Sequence, residues 1–140
     1  MAEGLLRREI ERNGHAGQIV VRSAGTTDHY DGRPPAPLVV QVVTERGGHL
    51  DGHRPHQVTP AEIAQADLIL AMAQEHKDYI TAHFPEATPR TMLLSEAVGL
   101  PADVPDPGRQ ELGTLRRCAD LIENYIVRGY AEILRRMVNT

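Results

Sequence analysis

Tryptophan is absent from these 140 residues, phenylalanine and cysteine occur once each, and tyrosine four times. A core made from this set must be aliphatic. One thiol cannot build an internal disulfide framework, which suits a reducing cytoplasm. No apolar run approaches the ~20 residues a membrane helix needs, and no charged-then-apolar leader opens the chain. An excess of positive charge is missing too. The net charge of −4 gives no pull on a phosphate backbone, which argues against a general nucleic-acid binder. What is present is globular: 41% apolar and 24% charged residues. The expectation is a cytoplasmic single domain spanning 1–140, without membrane or nucleic-acid partners.

Leu5, Leu6 and Ile10 form one helical stripe within residues 2 to 13, and Gly14 is a natural stop. Gln18 to Ser23 is short, β-branched and bounded by turn residues, which predicts a strand. Leu38 to Arg46 has helical spacing and closes on Gly47-Gly48. Thr59-Pro60-Ala61-Glu62 signals a helix start, with a capping Thr, a first-turn Pro and a capping-box Glu. Asp67 to Met72 is an apolar run of strand length, typical of a strand covered on both faces. His76 to His83 predicts a helix, Thr91 to Leu94 a further strand, and Leu100 to Gln110 a Pro-rich loop. From Leu115 to Met137 the three-and-four apolar spacing is sustained over a long helix. Three strands alternating with about five helices make an α/β fold, a parallel sheet flanked by helices on both faces.

Five segments in order carry a resemblance: the opening Met1-Ala-Glu-Gly-Leu-Leu6, then Ser23-Ala-Gly-Thr26, then Gly32 to Pro37 leading to Gly52-His53-Arg-Pro-His-Gln57, then Asp67 to Met72, then Asp103-Val-Pro-Asp-Pro107. Together they resemble the low-molecular-weight protein tyrosine phosphatases, whose relatives include arsenate reductases. The resemblance covers essentially the whole chain. It implies a three-layer α/β/α domain hydrolysing phosphomonoesters through a phosphocysteine intermediate, with no cofactor. Its substrate would be a phosphorylated protein or a small phosphomonoester.

The family begins with a strand running into a Cys-x5-Arg phosphate-binding loop, followed by Ser-Pro-Met-Ala-Glu. This chain opens at the Met of that phrase, so the expectation is an N-terminally truncated domain, the first central strand missing. The only Cys is Cys118, and six positions on stands Asn124 rather than Arg. Phosphoryl transfer to sulfur needs a low-pKa thiol, converging backbone amides and a bidentate Arg, besides an acid for the leaving oxygen. The resemblance makes Asp106 that acid and gives His53, with Ser23, a supporting place behind the loop. The chain by itself is expected to be inactive.

Plainer explanations compete at each position. Asp106-Pro107 is also ordinary turn chemistry, and Ser23 to Thr26 can be a simple strand-to-loop turn. Cys118 lies on the apolar stripe and is expected to be a small inert hydrophobe. His49, Asp51, His53 and His56 crowd one loop, but no regular element sets a ligand spacing, and no metal is expected. Gly108 replaces the aromatic residue that walls the family's substrate, and Ala73 replaces a polar one. The stretch from Ala73 to Leu100 has no Cys, which disfavours the arsenate reductases.

A missing central strand would leave the strands at 18–23 and 67–72 with unpaired interior edges. Three or four lost aliphatic side chains amount to roughly 5–12 kcal/mol, comparable with a domain's whole stability. Three arrangements would relieve this. The natural protein starts upstream, the flanking strands close up and pair, or a second chain fills the gap. The last makes a homodimer through exposed strand edges. The alternative to a phosphatase is thus a non-catalytic interaction protein of the same fold.

Overall fold

A computed structural model describes residues 1–28, 33–106 and 111–138. Gly32, Pro107 and Gly108, which the sequence singles out, lie outside the described residues. In chain order come α1 (Ala2–Arg12), α2 (Pro37–Glu45), α3 (Pro60–Gln65), β1 (Ile69–Ala71), α4 (Gln74–His83), a 3-10 helix (Pro85–Arg90), β2 (Thr91–Leu93), a second 3-10 helix (Leu94–Val98) and α5 (Leu112–Val138). Among the described residues no helix is long and apolar enough to cross a membrane.

β1 and β2 pair in parallel, Ile69 opposite Thr91, Leu70 opposite Met92 and Ala71 opposite Leu93. The alternation of side chains along β1 serves two cores. Leu68, Leu70 and Met72 pack on a cluster that includes Leu5 of α1, Val42 of α2 and Leu115, Ile122 and Ile126 of α5. Ile69 faces the other way, onto Ile63 of α3, Ile80 of α4 and Ala87. The apolar run at 67–72 is therefore covered on both faces, as its composition predicts. This is the α/β layering expected from the sequence.

One predicted strand does not form. Gln18 lies in a turn, residues 19–23 have no regular structure, and among the described residues the nearest sheet-like contact is a parallel bridge just beyond them, Gly25 with Gln57. Val20 is 80% exposed. The β-branched composition is right for a strand, but a strand exists only through its neighbour's backbone groups. The sheet thus has two strands rather than three. The flanking segments have not closed up on each other, which removes one of the three arrangements above.

Two close approaches set the position of α1 and α5. Gly4 of α1 lies against the loop after α2, where a Cβ would come within 2.6 Å of Val43 and 3.0 Å of the His49 carbonyl. Gly129 of α5 crosses the second 3-10 helix, where a Cβ would stand 2.5 Å from Cβ of Ala97 and 3.1 Å from its carbonyl. Ion pairs then lock α2 to α5. Arg46, at the end of α2, reaches Asp120 at 2.6 Å and Glu123 at 2.9 Å, and Arg116 reaches Glu45. At the start of α3 the predicted cap is present: the Thr59 hydroxyl accepts the Glu62 amide at 3.2 Å.

Gly129→Ala should lower stability by about 1–3 kcal/mol in urea unfolding, because overpacking against Ala97 outweighs the ~1 kcal/mol helix preference of alanine. Gly113→Ala on the same helix meets only the tip of Arg117, at 3.6 Å, and should be neutral or stabilising.

Candidate functional site

The site gathers around a carboxylate that the sequence did not single out. Glu3, in the first turn of α1, is buried. The Ser23 hydroxyl donates to its Oε1 at 3.0 Å, the Arg7 guanidinium stands 3.3 Å from Oε2, and Nδ1 of His53 lies 3.4 Å from Oε2. Ser23 and His53 also face each other at 3.4 Å. Nδ1 of His53 therefore looks at two acceptors, the Glu3 carboxylate and the Ser23 oxygen. On that ground the proton is assigned to Nδ1, leaving Nε2 as the lone-pair nitrogen.

Local folding explains how these groups meet. The close approach at Gly4 brings its neighbour Glu3 to the loop that bears His53. Arg7, one turn on, donates to the carbonyls of Val21 at 3.1 Å and His49 at 3.4 Å, holding the unpaired segment and the loop to α1. The two sequence-predicted support residues, Ser23 and His53, are brought together. The signal that could have revealed Glu3 is its spacing from Arg7, an i,i+4 acid–base pair in a helix whose apolar stripe starts at Leu5.

The loop carrying Asp106 is fastened at four points. The Ser95 hydroxyl donates to the Ala102 carbonyl at 2.6 Å and accepts its amide at 3.1 Å. Asp103 accepts the Gln74 amide at 2.9 Å, and the Val104 amide donates to the Met72 carbonyl at 2.7 Å. The Cys118 thiol donates to the Pro105 carbonyl at 3.6 Å. Ala73, at the N-cap of α4, has no polar side chain to offer, and the Asp103 carboxylate takes up one of that helix's free amides in its place. Asp106 itself is exposed.

Cys118 is partly buried against the core, as its place on the stripe predicts, but it also reaches the acid loop, which the stripe did not reveal. Burial pushes its thiol pKa up; the Met1 amino group opposes this and the Asp106 charge adds to it. The amino group of Met1 is itself shifted down, by burial first, with Glu3 and Cys118 opposing. His53 is likewise lowered, by burial first, against the attraction of Glu3 and with the Met1 amino group adding to the shift.

The other residues of the histidine-rich loop go elsewhere. His49 sits between Glu11 at 3.3 Å and Asp51 at 3.7 Å, while His56 bonds Glu62 at 2.9 Å. Two of the three histidines thus face opposite ends of α1, and the third faces α3. Among the described residues no group of three or more His, Cys, Asp or Glu is placed to hold a metal ion.

Comparison with known proteins follows the same lines. The sequence profile described as "Low molecular weight phosphotyrosine protein phosphatase" matches residues 1–139. The chain is 31% identical over 137 residues to a protein-arginine-phosphatase of Bacillus subtilis, covering 97% of this chain and 88% of that one. It is 30% identical over 123 residues to the low molecular weight protein-tyrosine-phosphatase Etp of Escherichia coli, covering 88% and 78%. Among solved structures, the low molecular weight protein tyrosine phosphatase from T. tengcongensis superposes with a TM-score of 0.85 at 28% identity, covering 94% of this chain and 88% of that one.

The shifts fix the direction of acid sensitivity. The folded His53 has a pKa below the ordinary 6.5, so protonation favours the unfolded chain, and its share of stability falls as pH drops below about 6.5. Glu62 and Glu96 are held below the ordinary 4.5 despite burial, Glu62 by His56 and Thr59, Glu96 by the Leu93 amide and Lys77. Their share is present above that value and is lost as pH falls below it. Urea midpoints measured against pH should therefore decline in two stages, and His53→Asn should flatten the first while leaving the second.

Proposed function

The chain belongs to the low-molecular-weight phosphotyrosine protein phosphatase family, and from that premise we propose that residues 1–140, taken by themselves, form a phosphatase domain with an acid and a loop support but no nucleophile. In this reading Asp106 is the group that protonates the leaving oxygen. His53 and Ser23, held by Glu3, support the phosphate-binding loop. Phosphorylated protein or a small phosphomonoester is the substrate class of the completed centre, and the single thiol fits a cytoplasmic setting.

One observation carries the inactivity. The only sulfur nucleophile in the sequence is Cys118, on α5, and its surroundings are wrong for a thiolate. Burial raises its pKa, its proton points to a carbonyl, and Asn124 stands where a phosphate-clamping Arg would be needed. His53 Nε2 and Asp106 can hold or move protons, but acid–base groups without a nucleophile and an anion cradle do not cleave a phosphate ester at a useful rate.

A second reading is favoured by a different observation: among the described residues the β-branched stretch 19–23 joins no strand. It makes these residues a non-catalytic scaffold of the phosphatase fold that engages another chain.

With para-nitrophenyl phosphate, the 140-residue chain should give no turnover above buffer. Turnover that survives Cys118→Ser would mean another nucleophile exists, and turnover that disappears with it would make Cys118 the nucleophile. Either result overturns the inactive reading.

A further inference from the structure

We infer that Ser95 is the positioning residue for Asp106: its buried hydroxyl clasps the backbone of Ala102 and so sets the path by which the chain reaches the acid. The inference deepens the reading that Asp106 is the acid and rests on it.

Ser95 is 1% exposed and belongs to a 3-10 helix that is itself pinned on several sides. Leu93 and Leu94 are buried ahead of it, and Ala97 lies under Gly129 of α5. The Glu96 carboxylate accepts the Leu93 amide at 3.0 Å and pairs with Lys77 at 2.9 Å. A hydroxyl in such surroundings is costly unless it is hydrogen-bonded. Both of its bonds go to one residue: it donates to the Ala102 carbonyl at 2.6 Å and accepts the Ala102 amide at 3.1 Å. Two bonds to one residue fix its orientation as well as its place.

From Ala102 onward each residue up to Pro105 is held. Asp103 accepts the Gln74 amide, the Val104 amide donates to the Met72 carbonyl while its side chain joins the core, and the Pro105 carbonyl accepts the Cys118 thiol. The three side chains among these fasteners are unequal. The Asp103 bond lies at the surface, where water can take its place, and a thiol is a weak donor. Ser95 is sealed from water, so its loss would leave polar groups stranded. The Val104 bond is backbone on both sides and follows from the path the loop already takes. Ser95 is the side chain on which that path depends.

Cys118 reports where Asp106 stands. Its thiol donates to the adjoining Pro105 carbonyl, and the Asp106 charge adds to the burial that raises its pKa, against the Met1 amino group. Iodoacetamide consumes the thiolate, so its rate on Cys118 followed against pH reads that pKa. In the 140-residue chain at low salt, Asp106→Asn should speed alkylation near pH 7.5 about threefold, the effect of one charge acting through a largely aqueous path. In a Ser95→Ala background the same substitution should change the rate less than about 1.5-fold, because the released stretch no longer holds the charge in place. Comparison within each background cancels any change in access to the thiol. Should Ser95→Ala not unfold cooperatively in urea, Ala102→Pro replaces it, deleting the amide that Ser95 accepts and leaving the buried hydroxyl intact. An equal effect of Asp106→Asn in both backgrounds overturns the inference. So does the lack of any effect in the parent chain, which would mean that Asp106 is not held beside Cys118. Turnover of para-nitrophenyl phosphate that Asp106→Asn leaves unchanged would instead sink the acid reading and leave the alkylation comparison to stand by itself.

Discussion

Glu3 is one buried carboxylate, and three stretches of chain that share no regular hydrogen bonding converge on it. Ser23 comes from the extended segment, His53 from the loop after α2, and Arg7 from the next turn of α1. A buried carboxylate is costly unless it is hydrogen-bonded and faced by a cation, and here both conditions are met. Without it residues 20–23 would keep, among the described residues, the Arg7 bond to Val21 and the bridge at Gly25 just beyond. The imidazole of His53 would lose the acceptor that fixes its tautomer. The Glu3–Ser23–His53 cluster is thus organised from α1, not from the sheet.

The stretch that bears Asp106 is held differently. It is strapped to its surroundings by Ser95, Asp103, Val104 and Cys118. Two of these straps lead to Met72 and Gln74, at the end of β1 and the start of α4, one to the second 3-10 helix and one to α5. Both parts meet in one core cluster, which holds Leu5 of α1 and Val104 of the Asp106-bearing stretch.

How much of this the sequence reveals depends on whether a feature is local. The Thr59 cap, the two-faced apolar run ending at Met72 and the long stripe of α5 are written into consecutive residues, and all three appear in the structure. Residues 18–23 have strand composition, yet pairing belongs to two segments, and composition cannot say whether the second is there. The 3-10 helices at 85–90 and 94–98 were not legible either, since their short apolar and Pro-containing stretches have no period to detect. Ser23, His53 and Asp106 were found through family resemblance. Glu3 and Ser95 were missed because each matters only for what folding sets beside it.

The crossing of α5 over Ala97 carries a consequence for how this chain can change over generations. A methyl group at position 129 would collide with the methyl group of residue 97 at 2.5 Å, while the backbone there would stand at 3.1 Å. The two sites are therefore bound by an order of events. Residue 97 must shed its side chain before residue 129 can gain one, and the reverse sequence of steps passes through a strained intermediate. Lineages carrying alanine at 97 are held to glycine in the middle of their longest helix, a residue that helices otherwise disfavour.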